Sequence, residues 1–222
     1  MKFANAYKGL KTLKMAEVLN IIGLSAAALI ILVSIVVMGG IGSRADLSTQ
    51  DVANAMGGSL ILLVGGFVSV ALAVIAYILQ IIGINEAKTD DEGFDNALMF
   101  VIGGIVVSLI SGGASGWFGV VMSIASKVLS VIVTLCIISG IRSTAKRLGN
   151  TEVENKGRTV NIIVIVLAVI AIALSVAGSF IPSFEMLLVF VTGCFNVAKS
   201  AVFLAYLSSA VKMFGIEEMK AV

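Results

Sequence analysis

A chain of 222 residues, of which 59% are hydrophobic and 13% charged, is too apolar for an ordinary water-soluble domain, in which about half of the residues are apolar and about a quarter are charged. Its mean hydropathy of +1.12 instead predicts a protein whose surface lies largely in a lipid bilayer. The net charge of +2 provides no basic face of the kind that binds nucleic acid, so we expect no nucleic-acid partner.

Six apolar blocks are long enough to cross a bilayer as helices, which takes about 20 residues each. The blocks are continuous and lack the alternation of a β-barrel strand, so the sequence predicts an all-α, polytopic transmembrane helical bundle of about six spans. The predicted spans are 16–40, 58–84, 97–114, 117–141, 160–180 and 183–212. They form one transmembrane domain over residues 16–212, and residues 213–222 form a cytoplasmic tail.

The first 15 residues differ from these blocks, because lysines surround Phe3, Tyr7 and Leu10, which recur at helical spacing. This pattern predicts a cytoplasmic, interfacial amphipathic helix over residues 1–15 on an anionic membrane surface. The alternative is that these residues are the frayed start of the first span. The apolar block after them is too long for the hydrophobic region of a signal peptide, which supports its interpretation as a span.

Two helix breaks are visible in the second half of the chain. The glycine-rich stretch 111–116 divides what would otherwise be one over-long helix into the third and fourth spans. Five or seven spans remain alternatives around residues 97–141. Pro182, next to Ser183, marks the break between the fifth and sixth spans, because proline is tolerated best where a helix ends.

Lysine and arginine residues are unequally distributed between the loops. Four lysines precede the first span and five basic residues lie within 142–158, whereas Arg44 is the basic residue of the three opposite loops. Since basic loops stay in the cytoplasm, the sequence predicts a bacterial-type inner (plasma) membrane protein with both termini cytoplasmic. The loop 85–96 is acidic and has little influence on orientation.

The spans show signs of an internal repeat. The second and fourth spans both end in Gly-Ile, at Gly83 and Gly140. Each odd-numbered span is approached through a charged residue followed by glycine: Lys8-Gly9, Glu92-Gly93 and Lys156-Gly157. We therefore predict three repeated helical hairpins, packed about an axis along the membrane normal.

The opening Asn5-Ala-Tyr-Lys-Gly9, the exit Gly83-Ile-Asn-Glu-Ala-Lys88 and the hairpin plan together resemble a group of small, uncharacterised bacterial six-span integral membrane proteins. The resemblance extends over most of the chain. It implies a six-span fold and no known activity.

Two lysines lie deep inside apolar blocks, Lys127 in the fourth span and Lys199 in the sixth. A lysine at the centre of a membrane helix costs about 2.5 to 3.5 kcal/mol on insertion scales, and such residues usually face the bundle interior or water. We predict that both project into one polar cavity near the midplane that favours a small anionic solute. The expected lining also includes Ser123, Ser126, Ser130, Asn196 and Ser200.

The alternative for each lysine is that it extends to a membrane interface or pairs with a carboxylate such as Glu185. Glu17, near the predicted inner end of the first span, is interpreted as an interfacial or capping group.

The sequence offers little basis for catalysis. The chain contains no histidine, which excludes histidine metal sites and Ser-His or Cys-His catalytic pairs. Cys136 and Cys194 both lie in apolar blocks, where cysteine behaves as a small hydrophobe. We expect no enzymatic activity, no catalytic residue, no metal and no cofactor.

Two functions of different classes remain. The first is transport or binding of a small anionic solute, in a cavity lined by both lysines. The second is a non-transporting scaffold, immunity or assembly partner, whose filled bundle recognises another membrane protein. Small residues four apart, such as Gly104, Ser108 and Gly112, also allow a homo-oligomer.

Overall fold

The computed structural model describes residues 3–41, 49–113, 116–181 and 184–220. These residues form six helices, and each contains a segment that is long and apolar enough to span a membrane. The helices are α1 (Ala4–Ile41), α2 (Thr49–Ala87), α3 (Glu92–Gly113), α4 (Gly116–Arg147), α5 (Thr151–Phe180) and α6 (Glu185–Lys220). The predicted all-helical, six-span membrane bundle is confirmed.

The outer helices are longer than the predicted spans. No break separates residues 4–15 from the first span, because α1 is continuous from Ala4 to Ile41. Phe3, Ala6 and Leu10 are buried against other parts of the protein. The first residues therefore belong to the α1 helix and its packing, and their place at the membrane interface stays a prediction. Residues 213–220 continue α6 as helix, and their cytoplasmic location also stays a prediction.

Glycine ends the helices at two of the turns. The third and fourth spans are separate helices, because α3 ends at Gly113 and α4 begins at Gly116. Gly116 has φ +63° and Gly149, between α4 and α5, has φ +69°, a region that glycine adopts without steric cost. The loop containing Arg44, the middle of the glycine-rich stretch (114–115) and Pro182 with Ser183 lie outside the described residues.

The six helices form a closed ring. Each helix packs against the next in the chain, and α6 packs back against α1. The contacts are most extensive within the pairs α1–α2, α3–α4 and α5–α6, and the contact between α2 and α3 is the loosest of the ring. This arrangement groups the helices as three hairpins, while the repeat in sequence stays a prediction.

Buried side chains are concentrated at one end of the ring, which we call the basic end: residues 3–16, 84–97, 137–157 and 207–216. Its largest fully buried side chains include Leu10, Ile84, Phe94, Ile137 and Phe214. Towards the opposite end, the apolar side chains of Leu63, Phe67, Leu109 and Trp117 are exposed by 70% to 75%. Such a surface requires hydrocarbon as its solvent, because exposing so much apolar area to water would be costly.

The acidic turn between α2 and α3 caps two helices at the basic end. An oxygen of Asp90 accepts a hydrogen bond of 2.6 Å from the backbone N–H of Ala6, in the first turn of α1. An oxygen of Asp91 accepts one of 2.9 Å from Gly93, in the first turn of α3. First-turn N–H groups lack partners within their own helix, and negative charge is favoured at that end. The turn thereby fixes the start of α1 beside the start of α3.

Two ion pairs connect further elements at this end. The Lys8 ammonium lies 2.9 Å from the Glu86 carboxylate, and Arg147 lies 3.2 Å from Asp91 without hydrogen-bond geometry. The Lys8 side chain is 74% exposed, and exposed pairs of this kind contribute at most about 1 kcal/mol. The pairs chiefly show how the chain is arranged, because they bring residues of α1, α2, α4 and the α2–α3 turn to one end of the ring.

Glycine allows the closest helix contacts at the basic end. A Cβ atom on Gly83 would lie 2.8 Å from the carbonyl oxygen of Gly9, and one on Gly93 would lie 2.6 Å from the backbone nitrogen of Gly140. In the third hairpin, a Cβ atom on Gly157 would overlap the side chain of Tyr206. The three charged-residue-plus-glycine pairs thus mark the closest approach within each hairpin. Residues 5–9 and 83–88 are among the segments that touch.

We expect Gly9→Ala to destabilise the protein by about 1 to 3 kcal/mol, the usual cost of overpacking, because the added methyl group meets backbone that cannot move aside. Gly103→Ala is the matched control, since a Cβ atom there meets nothing within 4 Å. It should be neutral or stabilising by up to about 1 kcal/mol, from helix propensity. Thermal unfolding in detergent measures both, and equal shifts for the two variants would contradict the close contact.

Candidate functional site

Lys127 and Lys199 line the same cavity. It has a volume of about 250 Å³ and lies between α1, α4, α5 and α6. Of the other predicted lining residues, the structure places Ser130, Asn196 and Ser200 there, and it adds Asn20 of α1 and Thr192 of α6. The Oγ1 atom of Thr192 is buried and has no hydrogen-bond partner among the described residues. The site is therefore a polar space with unused hydrogen-bonding capacity inside an apolar bundle.

Both lysines lie far from the helix ends. Lys127 is eleven positions after Gly116, where α4 starts, and Lys199 is fourteen positions after Glu185, where α6 starts. At 1.5 Å per residue, the two Cα atoms are about 17 and about 21 Å along their helices. Because α4 and α6 both start at the end opposite the basic end, the lysines occupy similar depths near the middle of the bundle.

The two lysines have different surroundings. Lys127 donates a hydrogen bond to the hydroxyl of Ser175 on α5, and in the described part of the chain no carboxylate forms an ion pair with it. Lys199 interacts electrostatically with Glu17 on α1. Glu185, the partner considered from the sequence, is exposed at the start of α6.

Glu17 is the member of the site that sequence reasoning missed. Its carboxylate lies near the side chains of Asn20 and Ser200, and Asn20 donates a hydrogen bond to the Ser200 hydroxyl at 3.3 Å. The interpretation of Glu17 as an interfacial or capping group assumed that the first helix begins at residue 16, and it stays a prediction. With α1 starting at Ala4, Glu17 lies about 20 Å along the helix.

A second, smaller cavity adjoins the first. It has a volume of about 150 Å³ and contains Glu17 together with Tyr77 and Gln80 of α2 in its lining. Asn20 and Ser130 line both cavities. Glu17 thus lines a space next to the one that both lysines line, and Asn20 and Ser130 belong to both walls.

Two predicted lining residues lie elsewhere. Ser126 contacts Ser108 of α3, with their hydroxyl oxygens 2.8 Å apart, and it lines a larger, mostly apolar cavity between α2, α3 and α4. Consecutive residues differ by about 100° around a helix, so Ser126 and Lys127 project from different sides of α4. Ser130 projects from a direction between these two, which allows it to line both cavities. Ser123 is partly buried one turn before Lys127 and is not part of the cavity wall.

Comparison of the chain with protein-family models, with curated proteins and with solved structures found no match.

Water should reach the lysine cavity but not the lipid-facing side of the same helix. With Cys136 and Cys194 replaced by alanine, we expect Asn196→Cys to react with a small, membrane-impermeant sulfonate thiol reagent in proteoliposomes. Ala198→Cys is the control, because Ala198 is exposed on the opposite side of α6, only about 3 Å along the helix from Asn196. Mass spectrometry measures the labelled fraction, and equal labelling at both positions would contradict a hydrated cavity.

Proposed function

We propose that this protein binds a small anionic solute in the cavity between Lys127 and Lys199 and carries it across the membrane. The observation that supports this proposal most directly is the convergence of two lysines, from helices α4 and α6, on one interior cavity. In a medium that penalises every charge, two positive groups facing the same space create a preference for a negative partner.

The local charge balance favours a monovalent anion. Among the described residues, Glu17 is the carboxylate that faces the lysines, and it interacts with Lys199. Two ammonium groups against one carboxylate leave one positive charge near Lys127. An anion with a single negative charge can replace this one carboxylate charge opposite the two lysines without changing the net charge of the site.

The size of the cavity limits the solute. Pockets for drug-sized ligands are about 300 to 1,000 Å³, so a space of about 250 Å³ suits an inorganic or very small organic anion. Asn20, Thr192 and Asn196 provide uncharged polar groups that can replace part of its hydration shell.

A scaffold role fits this interior less well. A bundle that only packs against a partner gains nothing from charged residues around an interior space, and filling that space with apolar side chains would be more stable. The residues that line the cavity thus favour solute handling over a purely structural role.

We also propose that the basic end faces the cytoplasm of a bacterial-type inner membrane. The ion pairs and caps bring the N-terminal lysines, the acidic turn and the α4–α5 turn together at that end. The excess of basic residues there supports this orientation.

Flux of chloride and nitrate into proteoliposomes tests the transport function. We expect Lys127→Met and Lys199→Met to lower the flux about tenfold or more each, because a hydrogen bond from a charged group is worth about 1.5 to 3 kcal/mol. The arginine variants at both positions should retain part of it. Lys212→Met is the control, because Lys212 is exposed at the basic end of α6. Equal flux in the wild type and both methionine variants would overturn the proposal.

A further inference from the structure

Glu17 stands beside the proposed anion site without an obvious role in binding an anion. It lies on α1, reaches across to Ser200 on α6, and interacts with Lys199. A negative charge at this place repels an anion in the adjoining cavity, since the two spaces share Asn20 and Ser130 as walls. An anion transporter would be improved by an apolar residue here, unless the carboxylate has a task of its own.

We propose that Glu17 is a proton-binding site, and that each anion that enters the lysine cavity is accompanied by one proton on the Glu17 carboxyl group. This inference rests on the transport function proposed above. It assigns that transport to one class, the symport of a small monovalent anion with a proton.

The charges around Glu17 explain the coupling. Lys199 faces it from α6, and Tyr77 lies in the wall of the same cavity on α2. Lys127 of α4 lines the adjoining cavity, and Lys14 precedes Glu17 by one turn on α1. In the proposed cycle, Glu17 is ionised while the cavity is empty and interacts with Lys199 across the site.

An entering anion takes over this compensation. The carboxylate then has no cationic partner of its own and repels the anion, so protonation of Glu17 removes the repulsion and the two ligands bind cooperatively. One anion and one proton enter together and leave together, and no net charge crosses the membrane.

The adjoining cavity provides a place for the proton to arrive. Glu17 lines the smaller space together with Gln80, Tyr77 and Asn20, whose polar groups can hold water next to the carboxylate. The proton and the anion therefore use neighbouring parts of one polar interior, separated by Asn20 and Ser130.

The experiment uses proteoliposomes that contain a trapped pH-sensitive dye and are clamped with potassium and valinomycin. An inward chloride gradient should acidify the lumen with wild-type protein, at a rate independent of the clamped potential. The chloride uptake rate should fall as the external pH rises, by up to about tenfold per pH unit, the limit for one coupled proton. Nitrate serves as the second probe.

We expect Glu17→Gln to lose the chloride-driven acidification while chloride itself still moves, with a flat pH profile. Glu17→Asp should retain acidification, because it keeps a titratable carboxyl group. Glu152→Gln is the control, since Glu152 forms an exposed pair with Lys156 at the basic end, and it should behave as wild type. Size-exclusion chromatography and thermal unfolding in detergent identify variants that have not folded.

The outcomes separate the two proposals. Chloride flux without acidification in wild type, or acidification that persists in Glu17→Gln, would overturn proton coupling and leave anion transport standing. Loss of both fluxes in a folded Glu17→Gln protein would make Glu17 a positioning residue for Lys199 and would also overturn the coupling. Absence of chloride and nitrate flux in wild-type vesicles would overturn both proposals.

Discussion

Hydrocarbon around the bundle is the constraint on which the rest of the structure depends. Lipid is as apolar as leucine, so helices in it gain nothing from hiding apolar surface and must associate through close packing and polar contacts. In this chain those contacts lie at the basic end, where Gly9 meets Gly83, Gly93 meets Gly140, and the acidic turn caps α1 and α3. The ring is firmly held there, and polar space remains deeper in the bundle.

The same constraint explains the arrangement of the interior charges. Each charged side chain at this depth costs several kcal/mol if it faces lipid. Glu17, Lys127 and Lys199 come from three different helices and all turn inwards, where Asn20, Ser175 and Ser200 provide polar contacts. Their positions near mid-depth create a site that no single helix contains. Its properties depend on closure of the ring between α6 and α1.

The sequence predicts some of these features well and others poorly, for physical reasons. Hydropathy over about 20 residues identifies each span, and the glycine-rich stretch at 111–116 identifies the break between α3 and α4. The positions of Lys127 and Lys199, far from the ends of their apolar segments, also mark both residues as unusual. The start of α1 was predicted too late because the residues before Glu17 are amphipathic, and helix ends are the least certain part of a hydropathy pattern.

Features that depend on contacts between distant segments were not predictable. The capping role of the acidic turn was not predicted, because it requires the first turn of α1 to lie against this turn. The cavity that Ser126 lines depends on which helices surround α4. The sequence of α4 alone does not contain that information. Local pattern thus predicts the elements, whereas the site arises from how the ring is closed.

The contact between α1 and α6 has a consequence for biosynthesis. The hydrogen bond from Asn20 to Ser200 joins residues 180 positions apart, so it forms only after α6 has been synthesised. Until then Glu17 of α1 lacks its neighbours on α6. The polar site is therefore complete only when α6 packs against α1.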